Sequence, residues 1–405
     1  MRAECQFAKA GQGLFYNGIL VSQKGHSFTF VYDCGTSDAN SVLSSSVSEY
    51  KNLMGKQLDL LAISHFHDDH ISHIPRLIEG VELKTVVIPF IRPEVRLLLA
   101  SNKEGIENDE EMINFYSNPV EYFVMHGAEN VISVQYDSDN NFFENEQQGN
   151  FVDNDNNPNK IHMMGKLTPL EGKNAKISKC IGAFSIKAII YNWEFKFINL
   201  YYDKIQDDFL IKISELLKAH SNNFSNILRN KTHIKQLRKI YKESFSKGLN
   251  ETSLIMLSKP INKGQVIKDV YSYMLYNDAE CRGCKESKCY QGSTLLTGDI
   301  SITSELIDRC SMYFHKEHIC IPSILQLPHH GAEITHSTLL ERLCRKIFYR
   351  SCYHFSLVAS YGIRNKYGHP KISFYKACHL NKMFMRNVHI ELVNERKDFL
   401  YTILY

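Results

Sequence analysis

The stretch Ser64-His65-Phe66-His67-Asp68-Asp69-His70 decides how the rest of the chain is read. It follows residues 58–63 (LDLLAI), a short, nearly continuous apolar run of the kind that forms a strand buried on both faces. On extended backbone, side chains two residues apart project the same way, so His65 and His67 share a side. The chain is then expected to turn into a helix over residues 71–78, with Asp69 and His70 on the turn. Imidazole and carboxylate donors thus converge on one small volume, a set that suits Zn²⁺ and also Mn²⁺ or Fe. A purely structural polar loop would rarely put three histidines and two aspartates within six residues directly behind a buried strand.

Working outward, residues 27–32 (SFTFVY) read as a strand that ends at Asp33-Cys34-Gly35, and residues 83–88 (LKTVVI) as another, closed by Pro89. Strand patterns return at residues 183–200, 253–257, 293–296, 324–327 and 355–360. Strands followed by helices, twice over, predict a mixed α/β fold of two β-rich halves with helices outside. From about residue 102 to 160 the pattern weakens, and residues 137–160 are dense in Asn, Asp and Gln, as a solvated excursion would be. Residues 207–247 look helical; within them Ile234, Leu237 and Tyr241 fall at i, i+3 and i+7, with Lys235, Arg238, Lys239 and Lys242 around them. This is either a solvated helical insertion or a basic helix that touches a nucleic acid or a partner.

The 405 residues carry a formal net charge of +3, which does not by itself announce a polyanion binder. Residues 1–9 lack the apolar core of a secretory leader, and no run approaches the ~18 apolar residues of a membrane span, so no membrane association and a cytoplasmic location are expected. The eleven cysteines are then read as thiols or metal ligands rather than disulfides. Cys281, Cys284 and Cys289 have a spacing that suits a structural zinc knuckle or an exposed loop of free thiols; Cys310, Cys320 or His315 would supply a fourth ligand.

His-x-His-x-Asp-His after a hydrophobic strand resembles the signature of the metallo-β-lactamase superfamily. Further motifs follow in order: Gly11-Gln12-Gly13, Asp33-Cys34-Gly35, Thr297-Gly298-Asp299, Pro328-His329-His330-Gly331, Ser360-Tyr361-Gly362, Asn365 and Tyr367-Gly368-His369-Pro370. In this register, from about residue 10 to 370, the chain resembles the ComEC-type branch, named for the hydrolase domain of a DNA-uptake channel protein. The resemblance implies an αββα sandwich, one domain over residues 1–405, with insertions at about 100–165, 201–250 and 277–292. It implies His65 and His67 as ligands of a first metal and Asp69 and His70 of a second. Asp299 would bridge the two, His330 (or His329 in its place) would be the last ligand, and Asp33 would support the histidines from behind.

The wider superfamily has one more histidine before the bridging aspartate; here Asn250 and Ser253 stand where the ComEC-type branch carries an Asn/Ser pair, and both are candidate substrate contacts. His126 and His162 are stray candidates for that ligand, and either one or two metals are compatible with the set. Asn365 and His369 would border the substrate, with Asp69 orienting the attacking water and His369 donating to the leaving oxygen. No elbow motif supports a serine or cysteine nucleophile. The expected activity is a metal-dependent phosphodiesterase or nuclease acting on DNA, with Lys235 and Arg238 touching nucleic acid and a regulatory protein partner accommodated by the insertions. The alternatives are a hydrolase of small lactones, thioesters or β-lactam-like compounds, and a partner-regulated module without catalysis.

Overall fold

A computed structural model describes residues 1–136, 161–170, 176–199, 207–244, 253–261, 266–268, 293–304, 306–308, 324–332, 342, 355–363, 365, 368, 370 and 388–404. Asn250, His369 and the cysteines at 281, 284 and 289 lie outside these residues, as does the Asn-rich stretch 137–160.

The first half opens with an antiparallel pair, β1 (Arg2–Phe7) and β2 (Gly13–Val21), followed by β3 (Ser27–Thr36). After helix α1 (Asn40–Met54) comes β4 (Gln57–Ala62), then two short helices, α2 (Asp68–Ile71) and α3 (Ile74–Ile78). The expected helix over 71–78 is therefore two, with Pro75 in the first turn of the second. Next are β5 (Glu82–Pro89), α4 (Pro93–Asn102), α5 (Glu110–Ser117), α6 (Pro119–Met125) and β6 (Asn130–Gln135). Strands β3, β4, β5 and β6 pair in parallel in that order.

The second half comprises β7 (Ile161–Leu170), β8 (Lys176–Ala188), β9 (Trp193–Asn199) and three helices, α7 (Asp207–Ala219), α8 (Phe224–Leu228) and α9 (Lys231–Ser244). It continues with β10 (Leu254–Pro260), β11 (Val266–Lys268), β12 (Thr294–Leu296), β13 (Ile324–Gln326), β14 (Phe355–Ser360), β15 (Val388–Val393) and β16 (Phe399–Leu404). A second parallel run, β12 to β15, mirrors the first. The hydrogen-bonded path is β11-β16-β1-β2-β3-β4-β5-β6-β8-β9-β10-β12-β13-β14-β15, with β7 beside β8.

The path folds back on itself. Phe30 of β3 and Phe195 of β9, far apart along it, have ring centroids 5.0 Å apart, and the Tyr32 hydroxyl donates to the Leu254 carbonyl of β10 at 2.7 Å. One apolar core lies between the two halves, where Tyr16, Phe30, Phe195, Phe197 and Met256 meet. A second lies between the first parallel run and helices α1 to α9. Strand β4 feeds both, with Leu60 and Ala62 in the former and Leu58 and Leu61 in the latter, which is why its sequence is mostly apolar. This is the mixed α/β fold expected from the sequence.

The weak pattern expected from about residue 102 gives way here to ordered core as far as Gln135. Ile106, Met112, Ile113, Phe115, Tyr116, Tyr122 and Phe123 are all buried, and β6 is a central strand. The helices are short and carry acids in their first turns, so their apolar stripes are diluted at the sequence level.

Candidate metal centre

The site gathers at the carboxyl ends of parallel strands, the usual place for a site in such sheets. Ser64 and His65 follow β4; Asp299 follows β12, His330 follows β13, and Ser360 ends β14. Asp33 sits inside β3 with φ 59°, and His329 and His330 have φ 52° and 55°. These three are half of the six non-glycine residues with positive φ among those described, so backbone strain is concentrated at this site. Helix α2 presses directly on β3: a Cβ at Gly35 would come within 2.5 Å of the His70 backbone nitrogen, so only glycine fits. At Gly298, φ is +57° and a Cβ would lie 2.8 Å from that of Ser64.

Ser64 and Asp33 form the support behind the histidines. The Ser64 N–H and hydroxyl donate to the two oxygens of Asp33, each at 2.6 Å. With its proton so used, the Ser64 oxygen accepts from His65 Nδ1 at 2.8 Å. His70 Nδ1 donates to Asp33 Oδ2 at 2.7 Å, and His330 Nδ1 to the Ser360 carbonyl at 2.7 Å. All three imidazoles are anchored through Nδ1, so Nε2 is the atom presented to the site. The Nε2 atoms of His65 and His70 are buried and make no hydrogen bond.

These atoms face carboxylates. His65 Nε2 is 3.9 Å from Asp299 Oδ2, and His70 Nε2 is 3.4 Å from Asp299 Oδ1 and 4.0 Å from Asp69 Oδ2. His330 Nε2 is 3.0 Å from Asp69 Oδ2. Two donor groups result, Asp69 with His70, Asp299 and His330, and His65 with His67 and Asp69; they share Asp69. Burial lowers the pKa of His65 well below the ordinary histidine value, and nearby His70 and His67 push the same way, so its ring stays neutral. Burial also disfavours the His70 cation, but Asp299, Asp33 and Asp69 outweigh it and hold its pKa well above the ordinary value. Burial likewise opposes ionisation of Asp69, yet His70 and His330 hold its carboxyl below the usual range. Asp299, which is buried, and Asp69, which is half-buried, have no Lys or Arg among their described partners and face imidazole Nε2 atoms, a donor set that fits a divalent cation.

The site therefore brings together His65, His67, Asp69, His70, Asp299 and His330, and His330 rather than His329 joins the donor groups. His329 instead places its Nδ1 3.4 Å from Asp299 Oδ2 at the cavity wall. Ser253, expected as a substrate contact, is fully buried behind the cluster, where its hydroxyl accepts from the Asp299 N–H at 3.1 Å and lies 3.5 Å from His65 Nδ1. The Arg238 guanidinium donates to the Ser101 and Lys103 carbonyls at 2.5 and 3.1 Å, which pins α9 to the end of α4. Lys235 is exposed on the same helix. The Asn365 side chain donates to the Gly362 carbonyl at 2.5 Å and closes a turn. His126 is tied to the Tyr122 carbonyl at 2.7 Å at the end of α6, and His162 lies in β7; neither joins the donor groups.

A cavity of about 450 Å³ opens onto the cluster. Its wall includes Gln12, from the Gly11-Gln12-Gly13 motif, and two residues outside every motif, Lys103 and Tyr116, whose hydroxyl donates to the Phe66 carbonyl at 2.8 Å. Gln326 lies outside every motif as well; its Oε1 accepts the N–H groups of Thr297 and Gly298 at 2.8 and 2.9 Å and so fixes the loop carrying Asp299. No motif marks Tyr116 or Gln326, because each acts through a partner distant in sequence.

Residues 12–109, which include β3, β4 and the histidine cluster, match the family model of the metallo-beta-lactamase superfamily. Together with the donor set, this match supports a metal-dependent hydrolase in general terms. Among solved structures, the chain is similar to the metallo-beta-lactamase fold protein YhfI from Bacillus subtilis, at 10% identity and a TM-score of 0.39 over 99% of this chain and 98% of that one. It is also similar to a long form RNase Z from yeast, at 8% identity and a TM-score of 0.34 over 98% of this chain and 41% of that one. No curated protein matches the sequence. Among the described residues no helix is long and apolar enough to cross a membrane.

Proposed function

We propose that the chain hydrolyses phosphodiester bonds, those of DNA first, with two divalent ions (zinc or manganese) held by His65, His67, Asp69, His70, Asp299 and His330. The observation that carries this reading is the pair of donor groups meeting at Asp69, with one oxygen of Asp299 turned to His65 and the other to His70. When bound, such a pair of ions polarises a phosphoryl or acyl oxygen and brings the pKa of water toward neutrality. The chain's own side chains do the rest. Asp69, kept ionised by His70 and His330, orients the attacking water. Asp33 and Ser64 hold the imidazoles so that no rotation is needed as charge develops. The motif order read in the sequence favours phosphodiesters over other esters, and in that order His369 gives the proton to the leaving oxygen.

The cavity volume of about 450 Å³ favours a second reading as well, since it lies within the range of small-molecule pockets. That reading is a hydrolase of lactones or thioesters at the same centre. Metal analysis, then incubation with single- and double-stranded DNA and with a small ester in Mn²⁺, Zn²⁺ or Mg²⁺, separates the two. DNA cleavage that disappears in Asp69→Ala supports the first; ester turnover without DNA cleavage replaces it with the second. A chain that binds no divalent metal is neither.

A further inference from the structure

Among the described residues lining the cavity, Lys103 is the only lysine or arginine. It caps the C-terminal end of α4, and its side chain is only 15% exposed. Its ammonium lies 3.2 Å from Asp68 Oδ1 and 3.7 Å from Asp109 Oδ2. An ammonium has three N–H donors, so two carboxylates can aim it without exhausting it. Asp68 adjoins the shared ligand Asp69, so this charge is held beside the donor groups, on a wall whose other charged groups include Asp68, Asp69 and Asp299. An anionic substrate entering there meets repulsion from these acids, and Lys103 is the side chain placed to offset it.

The insertion sets its position. Arg238 of α9 grips the carbonyls of Ser101 and of Lys103 itself, fixing the end of α4 from which the lysine projects. Tyr241, one turn further along α9, reaches the same cavity wall.

We propose that Lys103 is the anion-binding residue of this centre, taking one phosphate oxygen of the substrate by a charge-assisted hydrogen bond, and that Arg238 positions it. The proposal deepens the phosphodiester reading and rests on it for the identity of the substrate. The test is calorimetric titration of inorganic phosphate into the zinc-loaded full chain, as wild type, Lys103→Met, Lys103→Arg and Arg238→Ala, with metal content measured in each. Phosphate binding is expected to weaken about tenfold or more in Lys103→Met, to stay within about threefold in Lys103→Arg, and to fall between the two in Arg238→Ala. Wild-type affinity in Lys103→Met overturns the proposal. So does a wild type that binds no phosphate, a weakening that only follows loss of metal, or a Lys103→Arg as weak as Lys103→Met. Lys103-dependent phosphate binding without cleavage of any phosphodiester would leave the anion site standing and end the phosphodiester reading; DNA cleavage with Lys103-independent binding would do the reverse.

Discussion

Ser64 is the smallest side chain in the cluster, and it makes the most use of its atoms. Its hydroxyl donates to Asp33 and accepts from His65, while its N–H takes the other oxygen of Asp33. Asp33 thereby accepts three bonds, which asparagine cannot do, because one of its two terminal atoms is a donor. Asparagine tolerates the left-handed backbone, so Asp33→Asn should fold and still lower metal affinity about 10–100-fold, the usual effect of losing the partner behind a ligand. Competition against a chelating dye measures this, and unchanged affinity would remove Asp33 from the support of His70. Asp69→Ala and His70→Ala should each abolish hydrolysis with the fold retained by circular dichroism; full activity in Asp69→Ala would end the mechanism. The candidate donors at 65 to 70 are legible because one strand and one turn deliver them together. Ser64 and Ser253 were not legible as supports, since their roles depend on residues brought close only by the fold.

The same contrast holds for the elements. Strand β4 announced itself through apolar residues on both faces, whereas β1, β2, β15 and β16 went unread although they flank the sheet's site-bearing runs. The helical character of the insertion was visible from Ile234 and Leu237, but not its place. Leu237 is fully buried, and with Ile213, Leu217, Phe224 and Leu228 it belongs to the same core as Leu97 to Leu99 of α4. The insertion is thus part of the helical layer, and a periodic stripe does not reveal which surface it will cover. Leu237→Ala should therefore cost about 2–5 kcal/mol of stability, as deletions in well-packed cores do. Arg238→Ala should cost about 1–3 kcal/mol, because two bonds to carbonyls at the end of α4 are lost. Lys235→Ala, at an exposed position, should change stability by less than ~0.5 kcal/mol. Urea unfolding of the three variants orders them, and an Arg238→Ala as stable as Lys235→Ala would mean that α9 is held to α4 by its apolar side alone.

At the scale of the whole molecule, the last strand ties the two halves together across the inner core. Tyr401 of β16 is buried; its hydroxyl lies 2.7 Å from that of Tyr16 in β2 and is hydrogen-bonded to Thr294 at the start of β12. Burial pushes the adjacent Cys5 thiol up to about 12, a sign of how dry this layer is. Removing the Tyr401 hydroxyl strands two buried polar groups, so Tyr401→Phe should lower the unfolding free energy by about 1–3 kcal/mol. Adding Thr294→Val removes one stranded partner, and the double variant should lose less than the sum of the two single losses. Metal affinity should hold in both. Thr294 lies only five residues before Asp299, but the intervening loop is fixed separately, by Gln326 on the N–H groups of Thr297 and Gly298 and by Ser253 on that of Asp299. Denaturant unfolding and metal titration on the same preparations distinguish the two effects. If Tyr401→Phe also weakens metal binding, the position of Asp299 is set from the inner core rather than by Gln326, and the centre is coupled to the closure of the whole sheet.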